Sequence, residues 1–153
     1  MIPELKTFLI AMSPIIELRG AIPIAISVYK LPPASAYLFS VLGNLVPLTL
    51  IILLLDPISK FLSGRYIFFN KIFSWLFSYT RNAHLSKADK FGKELAVLIM
   101  IATPIPLIGG WTGAIAAFVF GLSFGKAFPL VVLGTMISGL LVVLISLGVK
   151  IIF

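Results

Sequence analysis

The 153-residue chain has no cysteine, a single histidine, five Asp+Glu and only 11% charged residues in all. Without cysteine there are no disulfides, thiolate metal sites or Cys nucleophiles. No Walker motif, dinucleotide fingerprint, metal-ligand cluster or nucleophile triad is present, so no enzyme, cofactor, metal or ATP-driven chemistry is expected. Met1-Ile2-Pro3-Glu4 carries no basic n-region and no small-residue cleavage site follows it, so no secretory signal is expected. What fills the chain is apolar: 60% of residues are hydrophobic, and the mean hydropathy is +1.16. Soluble domains are about 45–50% apolar and about 25% charged, which excludes a soluble enzyme, while a disordered tail needs the opposite composition. An integral membrane protein with few spans remains. Twelve Lys+Arg give a net charge of +7. In this setting the basic excess points to loops facing an anionic cytoplasmic leaflet, and no nucleic-acid partner is expected.

The charge-free runs are 31–55, 95–125 and 127–149. A span needs roughly 20 apolar residues, so 33–55 and 127–149 read as transmembrane helices. The other apolar stretches are interrupted. Thr7–Ile16 and Gly20–Tyr29 are separated by Glu17 and Arg19, with Pro14 and Pro23 on either side. Within 95–125, Pro104, Pro106, Gly109, Gly110 and Gly113 fall close together. An interior proline costs a helix about 3 kcal/mol and one hydrogen bond. The flanks Leu95–Ala102 and Ala114–Leu122 are then half-helices of about 12–14 Å, which reach mid-membrane without crossing. Both interrupted regions read as re-entrant hairpins.

The halves resemble each other. Ser13-Pro14-Ile15 matches Thr103-Pro104-Ile105 at an offset of 90, and an offset of 91 pairs Leu31 with Leu122 and Val41-Leu42-Gly43 with Val132-Leu133-Gly134. The expected fold is therefore an all-α integral membrane domain of two inverted repeats. Each repeat is a re-entrant helical hairpin plus one transmembrane helix, and an amphipathic cytoplasmic segment joins them. Repeat one is 1–56, the basic linker 57–93 and repeat two 94–153. Hairpins entering from opposite faces bring their broken tips together near the midplane, the arrangement of secondary transporters with a central site. One face carries Lys60, Arg65, Lys71, Arg81, Lys87, Lys90, Lys93 and Lys126, the other Lys6, Lys30 and Lys150. The richer face is cytoplasmic by the positive-inside rule, and both termini then face outward. Residues 58–80 have two readings. Their aromatic and apolar character with Arg65 and Lys71 fits an amphipathic helix in the cytoplasmic interface. As a further span they would bury two cations at about 2.5–3.5 kcal/mol each.

The chemistry-bearing segment is Ser13-Pro14-Ile15-Ile16-Glu17-Leu18-Arg19-Gly20-Ala21-Ile22-Pro23. It places a carboxylate and a guanidinium two residues apart in an apolar run, where a buried ionisable residue is a functional candidate. Pro14, Gly20 and Pro23 are expected to break the helix and free backbone groups for a ligand. Arg19 with helix N-termini suits phosphate or carboxylate. Glu17 in apolar surroundings can take up and release a proton. Alternatively, Glu17 and Arg19 pair with each other and only hold the fold. The second tip, with Pro104, Pro106, Gly109, Gly110, Trp111 and Thr112, has no charge and offers backbone, hydroxyls and an indole N–H. It forms the other wall of the site, or its glycines only let the tips pack. Asn44 either bridges helices or faces the cavity, and His84 reads as a solvated loop residue.

The strings Pro14-Ile15-Ile16-Glu17-Leu18-Arg19-Gly20-Ala21-Ile22-Pro23 and Pro104-Ile105-Pro106-Leu107-Ile108-Gly109-Gly110-Trp111-Thr112-Gly113 resemble the prokaryotic small multidrug export protein family over essentially the whole chain. That family is in turn distantly similar to the DedA superfamily of SNARE-associated, VTT-domain proteins. The resemblance implies two facing re-entrant hairpins with acidic and arginine residues at the tips, a prokaryotic plasma-membrane location and, for several DedA proteins, movement of lipids such as polyprenyl phosphates. Glu17 and Arg19 match the acidic and arginine pattern. The second tip departs from it, having no arginine. Three functions follow as expectations: a secondary, proton-coupled transporter or flippase for an anionic amphiphile such as a lipid phosphate; a proton-coupled exporter of lipophilic cations; or a membrane scaffold. Membrane lipids and an amphiphilic substrate are the expected partners, and a homodimer is one way to shield a polar cavity from lipid.

Overall fold

The computed structural model describes residues 2–65, 71, 87–105 and 109–152. Its described helices are α1 (Pro3–Ala11), α2 (Glu17–Ser27), α3 (Pro33–Arg65), α4 (Lys87–Ala102), α5 (Gly110–Val119) and α6 (Phe124–Ile152). The order is short, short, long, twice over. Pro106, His84 and most of the 58–80 segment lie outside the described residues.

The breaks have local causes. Pro3 opens α1 where its missing N–H costs nothing, and Glu4 sits in the first turn, toward the positive end of the helix. Pro14 lies between α1 and α2, and Pro104 follows α4. The hairpins close alike. Lys30 (φ 55°) after α2 and Gly121 (φ 71°) after α5 are both left-handed, at the same offset of 91 residues that aligns the two halves.

Several boundaries differ from the sequence expectation. Gly20 and Pro23 do not break the helix but lie inside α2. Proline at position 23 removes one N–H, that facing the Arg19 carbonyl, and the rest of the ladder persists. A side chain at Gly20 would collide with Ile16. Gly110, Trp111, Thr112 and Gly113 are helical rather than part of an irregular tip. Packing overrides propensity there: a Cβ on Gly110 would lie 2.7 Å from Leu48, and one on Gly113 would strike Ile101. α4 starts at Lys87, earlier than Leu95, and α3 continues past residue 56 to Arg65.

The two halves pack by the same scheme. α1 lies on α2 and α3, as α4 lies on α5 and α6. Each second hairpin helix also crosses to the other half, α2 onto α6 and α5 onto α3, while α3 and α6 pack on each other. Leu18, Ile22 and Ile26 of α2 accordingly share a core with Val142 and Val143 of α6. Leu48 of α3 joins Val97, Ile101, Ala114 and Val131 in a second core. Glycines set the close approaches. A Cβ on Gly43 would collide with the Phe8 backbone of α1, and one on Gly134 would meet Ile101 at 2.7 Å and the Leu98 carbonyl at 3.4 Å in α4. These two contacts match at the offsets read from the sequence. Between α3 and α6, the Tyr37 hydroxyl donates to the Met136 carbonyl at 3.2 Å.

Pro33–Ile58 and Phe124–Val149 have mean hydropathies of 2.4 and 2.6, and only 33% and 39% of their most apolar windows are buried. The core helix of a soluble domain would be mostly buried. These helices instead present leucine and isoleucine outward, including Leu42, Leu50, Leu133, Leu140 and Leu144. At 1.5 Å per residue each exceeds a hydrocarbon core of about 30 Å. They are long and apolar enough to cross a membrane.

Gly43→Val should cost about 1–3 kcal/mol through overpacking against α1, read as a lower melting temperature in detergent. Gly148→Ala, with nothing within 4 Å of its new Cβ, should melt at or above the wild-type temperature. Equal melting of the two variants would mean that α1 does not pack at Gly43.

Candidate functional site

The two tips touch. Glu17 opens α2 in the left-handed region, φ 50°, a conformation rare for a residue with a side chain. It is buried, at 7% exposure. One of its carboxylate oxygens, Oε2, pairs with Arg19 Nη1. The other, Oε1, accepts the backbone N–H of Trp111 at 3.3 Å. Arg19 Nη2 donates to the carbonyls of Thr103, at 2.7 Å, and Ile101, at 3.4 Å. The ion pair of the first tip thus reaches both sides of the second.

Helix ends explain the choice of partners. α4 stops at Ala102, so its last carbonyls have no helical donor, and Pro104 has no N–H to offer them. Those carbonyls form the negative end of the helix dipole, which suits a guanidinium. α5 starts at Gly110, and the Trp111 N–H belongs to the positive end of that helix, which suits a carboxylate. Thr112 completes the turn: its hydroxyl accepts from the Gly109 N–H at 2.8 Å and donates to the Gly109 carbonyl at 3.2 Å. The uncharged second tip therefore takes its complementary charges from the first.

Gly109 is buried against Arg19, and a Cβ there would land on the guanidinium. Beside the pair lies a cavity of about 500 Å³ lined by Pro14, Ile15, Ile16 and Gly20 of the first tip and Trp111 and Thr112 of the second, with Glu17 and Arg19 between them. Pro23 and Pro104 do not line it. Arg19 Nε and Trp111 Nε1 are buried without a hydrogen-bond partner, and both can only donate. Asn44 is 1% exposed on α3, and its Oδ1 has no partner. Its Nδ2 lies 3.2 Å from where a Cβ on Gly110 would stand, so it packs from α3 against the start of α5. The backbone ligands of Arg19 and Glu17 were not foreseeable from residue types; only Pro104 and Pro106, which have no N–H, hint at free carbonyls. No group of three or more His, Cys, Asp or Glu comes together among the described residues.

Two hairpins that meet through one acid–arginine pair, set between two long apolar helices, define a helical membrane-type protein with an internal polar site. The chain belongs to the small multi-drug export protein family, whose profile matches residues 17–141. The match opens at Glu17, so it takes in Glu17, Arg19 and Gly20 of the first tip and the whole of the second. No curated protein and no solved structure matches the chain.

A double-mutant cycle tests the Gly109–Arg19 contact. Gly109→Ala should destabilise the wild type but be nearly neutral in an Arg19→Ala background, a coupling on the order of 1–3 kcal/mol. Additive effects on the melting temperature would separate the tips.

Proposed function

We propose that this protein is a secondary transporter or flippase for an anionic amphiphile such as a lipid phosphate, coupled to protons, with the substrate bound between the two hairpin tips. α3 and α6 cross the bilayer. The α1–α2 and α4–α5 hairpins enter from opposite faces as inverted repeats, with the basic 57–93 segment cytoplasmic and the protein in the plasma membrane of a prokaryote. The matched close contacts at Gly43 and Gly134, and the two left-handed closures at Lys30 and Gly121, support the repeat. Membership of an export family supports transport.

The observation that carries the substrate class is the pair of unpartnered N–H donors, Arg19 Nε and Trp111 Nε1, on residues that line the cavity. Either N–H can donate to an anionic oxygen, and neither can meet a cation. Pro14, Ile15 and Ile16 offer the apolar wall for the rest of an amphiphile, Ile15 being 92% exposed. Charge balance gives the coupling. Protonating Glu17 releases Arg19, leaving a buried cation without its counter-ion, which is costly. An anionic head group restores neutrality, so proton and anion enter together. A cationic substrate on Glu17 would instead stand beside Arg19. The same proton loosens the pair that holds the tips together, which permits access to alternate. A homodimer would shield the open side of the cavity from lipid.

The test is uptake into proteoliposomes of a fluorescent long-chain alkyl phosphate and of tetraphenylphosphonium, with and without a pH gradient. The phosphate should move faster with the gradient. Arg19→Ala should lower its rate at least about tenfold, the loss expected for a charge-assisted hydrogen bond, and Glu17→Gln should remove the response to pH. Transport of the cation alone, or an undiminished Arg19→Ala variant, would overturn the reading.

A further inference from the structure

We infer that a second lipid site lies at the opposite end of the second hairpin, where an anionic phospholipid seats its phosphate on Lys93 and Lys126 and one acyl chain between α3 and the α5–α6 turn. The inference rests on the membrane placement proposed above but not on the transported substrate.

Two adjoining cavities share the turn Gly121-Leu122-Ser123. The larger, about 350 Å³, runs between Ile52 and Leu53 of α3 and Phe118 and Phe124 of the other half. The smaller, about 250 Å³, is lined by Lys93, Glu94, Phe120 and Lys126. Charge is segregated between them. Asp56 lines only the apolar cavity, and both lysines line only the other. A phosphate is therefore favoured at the lysine end, and its chain extends past the turn along α3.

The lysines are held in place yet available. Lys126 Nζ is 3.2 Å from Glu94 Oε1, but its side chain is 58% exposed. Lys93 Nζ stands 5.7 Å from the centre of the Phe120 ring. Two cations against one carboxylate leave this cavity net positive. In the proposed placement the turn sits at the cytoplasmic interface, at the depth of phospholipid phosphates. Ile52 and Leu53 lie about one helical turn further in, at acyl-chain depth. The crevice also separates the two halves, so a lipid wedged there touches both α3 and the second hairpin.

Native mass spectrometry of protein taken from nanodiscs of equal phosphatidylglycerol and phosphatidylcholine tests this site. The wild type should retain phosphatidylglycerol preferentially. The pair Lys93→Ala and Lys126→Ala should reduce that preference on the order of tenfold, as for two lysines at an anionic surface. Glu94→Gln, which removes the competing carboxylate, should raise it, a gain that misfolding cannot imitate. The alanine pair should lose as much in an Arg19→Ala background as in the wild type, which separates this site from the central one. A wild type without preference, or one unaltered by the alanine pair and by Glu94→Gln, would overturn the inference.

Discussion

A helix interrupted inside an apolar medium exposes two sets of backbone groups that water cannot satisfy. The Glu17–Arg19 pair answers that constraint for the second hairpin. Arg19 sits on the carbonyls that end α4, and Glu17 accepts an amide at the start of α5. Each charge faces the helix end of opposite sign. The pair is neutral as a unit, which lowers the cost of keeping it in place, and it links two segments more than eighty residues apart in the chain. Separating the charges would expose both the ions and the helix ends. The contact is at once the lock between the halves and the most polar point of the cavity.

Around that contact the halves interlock through small residues. In a bilayer, helix association gains little from the hydrophobic effect, because lipid tails are as apolar as leucine, so close packing must supply it. Gly43, Gly134 and Gly139 bring α3 and α6 against α1, α4 and each other; a Cβ on Gly139 would lie 2.9 Å from both Tyr37 and Val41. Because α2 packs on α6 and α5 on α3, neither hairpin can shift without disturbing the opposite long helix. A local change at the tips is thereby connected to the whole bundle.

Much of this was legible in the sequence. Charge-free length marked α3 and α6, prolines 14 and 104 marked both breaks, and two costly charges in an apolar run marked the first tip. Offsets of 90 and 91 residues anticipated contacts that recur in both halves. The local boundaries were less legible. Gly20, Pro23, Gly110 and Gly113 read as breakers but sit in helices; tertiary packing against Leu48 and Ile101 determines Gly110 and Gly113, and the preceding turn at Ile16 crowds Gly20. The partners of Glu17 and Arg19 are backbone atoms of the other hairpin, which no residue type advertises. Asn44, weighed as a bridge between helices or a cavity residue, lies between α3 and the start of α5 at Gly110 and does not line the cavity.

The inverted entry of the two hairpins is the claim on which the proposed transport cycle stands, and a chain without native cysteine allows it to be measured directly. Single cysteines at Val28, after α2, and at Ser123, after α5, lie on exposed positions at the open ends of the two hairpins. Labelling intact cells with a membrane-impermeant maleimide should modify Val28→Cys at once, and Ser123→Cys only after permeabilisation. Labelling of both from the same face would contradict the account.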